Sequence, residues 1–245
     1  MSKISKAEAD NQVKTTASDM FFLAALAYLS LLIEPIIRSL IINNLFERLA
    51  LGEFGWTLVL RGACITLWLL CARSLLIASK KNCAYNVFEK SEPPTNIQWG
   101  LAVGTAVLFV AFCLWDNYEK NIAMLSAIDG ITSVINLITM YIFYAVEALI
   151  IIFVIAFGQK GGELAIKTKK GNYIPYGGIF LGLCWAIVNF ITYMSTLTSE
   201  ETVFDALGSA AMMILYGIIF GVFYVLIGKK TRYALPIIVI AFVLM

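Results

Sequence analysis

The sequence predicts an all-α, polytopic integral membrane protein with about seven transmembrane helices. Three observations predict it. Apolar runs near the length of a bilayer-crossing helix recur along the chain, and about 20 residues span a hydrocarbon core of roughly 30 Å. Charged residues make up only 14% of the chain, against about 25% in a soluble domain, and mean hydropathy is +0.85. The lysines and arginines between the runs fall on alternate sides. Spanning strands are excluded, because the runs lack alternation and a barrel needs many strands.

Each element follows in order. Residues 1–19 mix acids and bases and read as a polar cytoplasmic tail, ahead of a single transmembrane helical domain over 20–245. The first apolar run is too long for the core of a cleaved signal peptide. It is the first span, 20–43, and carries Glu34, Pro35 and Arg38. The second span, 55–79, holds Arg61 and Arg73. Residues 80–97 form a polar loop whose Pro93-Pro94 pair cannot continue a helix. The third span is 98–115. A loop over 116–130 ends in the turn signal Asp129-Gly130. The fourth span is 131–157, followed by a glycine-rich basic loop over 158–174. The fifth span is 175–194, with an acidic loop over 195–205 after it. The sixth is 206–228. The seventh, 233–245, rises only about 20 Å and is short for a full crossing.

Charge sets the expected orientation. The tail has Lys3, Lys6 and Lys14, and the second loop has Lys80, Lys81 and Lys90. The fourth loop has Lys160, Lys167, Lys169 and Lys170, and the sixth has Lys229, Lys230 and Arg232. The opposite face has Arg48 and Lys120. By the positive-inside rule the N-terminus is cytoplasmic and the C-terminus outside, which predicts a multi-pass protein of the cell membrane.

Composition also excludes chemistry. The chain has no histidine, so it lacks the usual zinc ligand and the commonest general base. No metal or cofactor is expected. Cys64, Cys71, Cys113 and Cys184 lie in apolar runs and Cys83 in a loop, which reads as reduced thiols rather than a disulfide framework. The spread of basic residues over loops offers no surface to nucleic acid.

Five ionisable groups fall inside expected spans, and such groups are functional candidates by default. Glu147 lies ten residues from the cytoplasmic end of its span, roughly 15 Å deep, and Arg73 roughly 10 Å deep from the same face. Arg38 and Arg61 fall near the outer interface, with Glu34 one turn from Arg38 on the same helix face. Two depth-matched clusters are therefore expected: Glu147 with Arg73, and Glu34 with Arg38 and Arg61. They either neutralise one another and set helix register or line a polar path.

Three spans carry Gly-x-x-x-Gly, at Gly100/Gly104, Gly178/Gly182 and Gly217/Gly221. The spacing lets a neighbouring backbone approach. Packing inside the chain is the first expectation and a homodimer face the second.

Residues 140–245 resemble the CPBP family of intramembrane proteases, the CAAX prenyl endopeptidases and bacteriocin-processing or immunity proteins also called Abi. Phe157-Gly158-Gln159-Lys160 stands where the family has a glutamate pair after Phe-Gly. The stretch GLCWAIVNF matches a second motif with Asn189 in the histidine position. GIIFGVFYVLIGKKTRY fits the penultimate span and basic turn, and PIIVIAFVLM the last span, with Val239 or Ile240 where a histidine would be. The resemblance implies a helical membrane fold. It also implies that catalysis, where present, needs a glutamate to activate water with histidine and asparagine assisting. Gln159 is no base, and Glu163 and Glu147 lie outside the matching positions. The expectation is a catalytically degenerate CPBP-like bacterial protein that binds a partner protein or peptide in the membrane, in an envelope or immunity role. The alternatives are a small-molecule or ion permease, and an active intramembrane protease using Glu147 or Glu163.

Overall fold

The computed structural model describes residues 15–44, 52–89, 92–116, 130–166, 173–196 and 203–243. Eight helices account for almost all of them: α1 (Ala17–Leu31), α2 (Ile33–Asn44), α3 (Glu53–Cys83), α4 (Asn96–Asp116), α5 (Ile131–Ala165), α6 (Tyr176–Thr196), α7 (Val203–Leu226) and α8 (Thr231–Val243). No strand occurs among the described residues. Six stretches are long and apolar enough to cross a bilayer, with α1 and α2 together forming the first. The chain is thus an all-α, multi-pass membrane protein. α8 has 13 residues and includes Pro236, so it stands apart from the six as a short apolar helix. Residues 45–51, most of the expected loop over 116–130 (117–129) and the middle of the expected acidic loop over 195–205 (197–202) lie outside the described residues.

The first span begins earlier than its apolar run. Thr16 caps α1 by accepting from the Asp19 N–H, and the Asp19 carboxylate accepts from the Thr16 N–H in return. This reciprocal cap satisfies two donors that the first turn leaves free. The same span breaks at Leu32, whose N–H turns back to the Leu29 carbonyl at 3.1 Å. Pro35 explains the break, because it has no N–H to donate to the carbonyl four residues earlier.

α5 is the organising element. Every residue from Ile150 to Gln159 is buried, and α1, α3, α6, α7 and α8 all pack on it. A helix that is apolar on every face is stable only where it is surrounded. Its 35 residues give a length of about 52 Å, more than the full thickness of a bilayer.

The expected glycine-rich loop is helix as far as Ala165, with residues 167–172 outside the described set. The glycines there pack neighbours and do not break α5. A Cβ on Gly158 would meet the Gly177 Cα at 3.1 Å, and one on Gly162 would fall 2.3 Å from the Tyr176 ring. The ring of Phe21 in α1 lies against Gly161. α6 returns the contact, since a Cβ on Gly177 would lie 2.0 Å from the Ile155 carbonyl oxygen.

Two of the three Gly-x-x-x-Gly motifs are spent on each other. A Cβ on Gly178 would meet the Gly217 oxygen at 2.4 Å and the Gly221 Cα at 2.6 Å. One on Gly217 would meet the Gly182 Cα at 2.4 Å. These faces join α6 to α7 within one chain. Gly100 and Gly104 on α4 have nothing within 4 Å of the Cβ position.

Side-chain bonds fasten the remaining helices. The Trp68 indole of α3 donates to the Ser30 carbonyl of α1 at 2.8 Å, and the Tyr28 hydroxyl to the Cys184 carbonyl of α6 at 2.9 Å. Cys83 proves to be the last residue of α3, not a loop residue, and is buried. All five cysteines are free.

Candidate functional site

Two polar regions stand at opposite ends of α5. The first is built around Gln159, in the lysine-rich half of the molecule. Gln159 is 2% exposed. Its side-chain amide donates to Glu163 Oε1 at 2.9 Å and to the Ile174 carbonyl at 3.0 Å, and its oxygen accepts from the Gly177 N–H at 3.3 Å. Glu163, one turn on, forms an ion pair with Lys229. Lys229 reaches it from the tight turn between α7 and α8. Gly228 and Lys229 both hold positive φ there, at 74° and 61°, and the Lys229 N–H closes on the Tyr224 carbonyl at 2.8 Å. Such a turn favours glycine at the first of these positions.

The same region extends through hydroxyls. Tyr224 and Thr231 oxygens lie 3.2 Å apart, and the Tyr85 hydroxyl pairs with that of Tyr224. Burial, with Tyr224 adding to it, pushes the Tyr85 hydroxyl far above its ordinary range, so it remains a neutral donor. The Lys230 ammonium donates to the Pro93 carbonyl and the Arg232 guanidinium to the Phe88 carbonyl, each at 3.0 Å. These bonds pin the loop after α3 to the α7–α8 turn. Lys160, the next residue on α5, is half-buried.

The second region is a cavity of about 320 Å³ between α2, α3 and α5. Its polar walls are Glu34, Arg38, Thr57, Arg61 and Tyr144, with Leu60, Met140 and Phe143 completing the lining. Glu34 and Arg38 form the expected pair along α2 at 2.6 Å. Arg61 joins them at the cavity, as its depth predicts. It is held by α5: Nη1 donates to the Asn136 carbonyl at 2.9 Å, to Asn136 Oδ1 at 2.6 Å and to Thr139 Oγ1 at 3.0 Å.

The expected pairing of Glu147 with Arg73 does not form. Arg73 is exposed on α3, and no ion pair joins it to Glu147. Glu147 lies instead near the middle of α5, one turn from Tyr144 on the cavity wall, within electrostatic reach of Glu34. No hydrogen bond to it is formed among the described residues. Asn189 accepts from the Ser209 hydroxyl at 2.9 Å and so ties α6 to α7. The structure thus brings together Gln159 with Glu163, and Glu34 with Arg38 and Arg61. It leaves Asn189, Lys160 and Arg73 apart from both groups.

Sequence reasoning missed Lys229, Tyr224, Thr231 and Tyr85 at one end, and Asn136, Thr139 and Tyr144 at the other. Asn136, Thr139 and Tyr144 did carry a signal. Asn136 and Thr139, three apart, share one face of an otherwise apolar helix, and Tyr144, eight residues on from Asn136, lies within about 80° of it. Among the described residues no group of three or more histidine, cysteine, aspartate or glutamate side chains is placed to hold a metal ion.

No family model, curated protein or solved structure matches this chain.

Proposed function

We propose that this protein is a CPBP-like membrane protein without protease activity, which acts by binding a partner protein or peptide in the cell membrane. One observation carries the reading. Gln159, at the first position of the glutamate pair, is consumed in three hydrogen bonds, and Glu163, one turn on, is paired with Lys229. A general base must be able to reach the proton that it takes, and a carboxylate locked to an ammonium is a poor one. Asn189 is likewise engaged with Ser209, and the chain has no histidine to supply the missing base. The lysine-rich end faces the cytoplasm by the positive-inside rule, which puts the cavity with Glu34, Arg38 and Arg61 towards the outer leaflet as the surface open to a partner.

Crosslinking in native membranes, followed by purification of the full chain, tests this. Glu147→Gln and Glu163→Gln are expected to capture the same partner as the parent chain. Peptide cleavage by the purified parent protein that either substitution abolishes would overturn the reading in favour of a protease.

A second reading, a small-molecule or ion permease, is favoured by the polar cavity together with Glu147. An acid near mid-membrane with no bonded partner among the described residues, one turn from a cavity wall, suits a transport path. Uptake of a solute into proteoliposomes, lost in Glu147→Gln, is the result that would establish it.

A further inference from the structure

The cavity between α2, α3 and α5 has an imbalance of charge. It is walled by two guanidinium groups and one carboxylate. The carboxylate of Glu34 is already committed to Arg38 at 2.6 Å. Arg61 has three acceptors, and all are neutral: a carbonyl, an amide oxygen and a hydroxyl. No carboxylate pairs with Arg61 among the described residues. Every bond that it makes there uses Nη1. A guanidinium has five N–H donors, so one edge is anchored to α5 while the rest of the fork is unused by those bonds.

A cationic group inside a membrane span, fixed by neutral partners alone, is costly without a counter-ion. Glu147, one turn from the cavity wall, forms no ion pair with Arg61 among the described residues. The second arginine, with the Thr57 and Tyr144 hydroxyls, adds donors around the same space. A volume of about 320 Å³ is at the small end of ligand sites, which run from about 300 Å³ upward. It suits one compact charged group.

We propose that this cavity is a phosphate-binding site, in which Arg61 is the primary ligand and Arg38 the second. Guanidinium groups match phosphate by paired donors on one planar edge. The phosphate is either part of a lipid headgroup or free in solution. The apolar residues Ile36 and Val59, exposed on the helices that carry Glu34 and Arg61, suit the first source, since they present hydrocarbon beside a polar pocket. The proposal deepens the binding role above, because it names what chemistry the cavity holds.

The test uses the full chain in two settings. In nanodiscs of mixed phosphatidylglycerol and phosphatidylcholine, native mass spectrometry reads the lipid retained after disc removal. In detergent, the shift in melting temperature with inorganic phosphate reads the free anion. The parent chain is expected to keep one phospholipid or to be stabilised by phosphate. Arg61→Gln is expected to lose that signal at least tenfold, and Arg73→Gln, on the exposed face of the same helix, to keep it. A lipid adduct lost in Arg61→Gln assigns the site to a headgroup, and a lost phosphate shift assigns it to the free ion. Thr57→Phe, which fills the cavity with Arg61 intact, is the second variant should Arg61→Gln not fold, and the same loss is expected. A signal equal in parent, Arg61→Gln and Thr57→Phe overturns the proposal, as does its absence in the parent. Partner crosslinking is scored on the same samples. A partner captured equally by Arg61→Gln preserves the binding role even where the phosphate site fails.

Discussion

The two ends of α5 solve the same problem in opposite ways. At the lysine-rich end, Gln159, Glu163 and Lys229 come from different parts of the chain and satisfy one another. Glycines close the space around them so tightly that a single methyl group would strike backbone or ring atoms. At the other end, Glu34 and Arg38 are neighbours on one helix, and Arg61 is held by neutral groups beside a cavity. The first arrangement is a fastener. The second keeps charge available. Polar groups in a membrane protein therefore do not carry one meaning. What distinguishes them is whether their bonding capacity is used up by the fold.

The sharpest way to break this comparison is a pair of glycine substitutions. Gly177→Ala at the fastened end would place its methyl 2.0 Å from the Ile155 oxygen, and we expect a loss of about 3 kcal/mol or more in stability. Gly62→Ala, next to Arg61 with nothing within 4 Å, is expected to be neutral or up to about 1 kcal/mol more stable, from helix propensity alone. Unfolding in detergent, followed by size-exclusion fluorescence, measures both. Equal effects would remove the distinction in packing.

A smaller effect is expected for Lys229→Met. The positive φ at this position is shared by both side chains, so the backbone term cancels. What remains is Glu163 without its partner, partly screened because the pair is 19% and 26% exposed. We expect about 1–2 kcal/mol of destabilisation, with Glu163→Gln recovering part of it in the double variant. No recovery would mean that the two side chains are not coupled.

The smallest effect belongs to the cavity. Arg38→Gln breaks an i, i+4 pair that is 56% and 25% exposed, so the expected change is within about 0.5 kcal/mol. Chemical unfolding of both chains checks this. A loss above about 1 kcal/mol would show the cavity to be structural after all.

Much of this was legible beforehand. The Glu34–Arg38 pair follows from spacing on a single helix, and local geometry is written in the sequence. Arg61 at the same depth follows from counting residues along α3. Counting failed for Glu147 and Arg73, because depth is one coordinate and the direction round the helix axis is another. The two residues can share a level and still face different neighbours, as the exposed Arg73 does. Gly158, Gly161 and Gly162 failed for a related reason. Glycine reads as a helix breaker when its surroundings are unknown, but the same missing side chain is what lets Gly177, Tyr176 and Phe21 press against α5. The Lys229–Glu163 pair links residues far apart in sequence, and nothing local to either announces it.

The sequence by itself determined that this chain crosses a membrane several times as helices, since hydropathy and charge are sums over residues and need no knowledge of contacts. It also determined the α2 ion pair and the lack of a histidine base. Only the tertiary structure decided that α5 is the central helix and runs to Ala165, that Gly178 and Gly182 of α6 meet Gly217 and Gly221 of α7, and that Arg61 is held by Asn136 and Thr139. Each depends on which face of one helix meets which face of another. That choice is made by close packing over the whole bundle, and no window of sequence contains it.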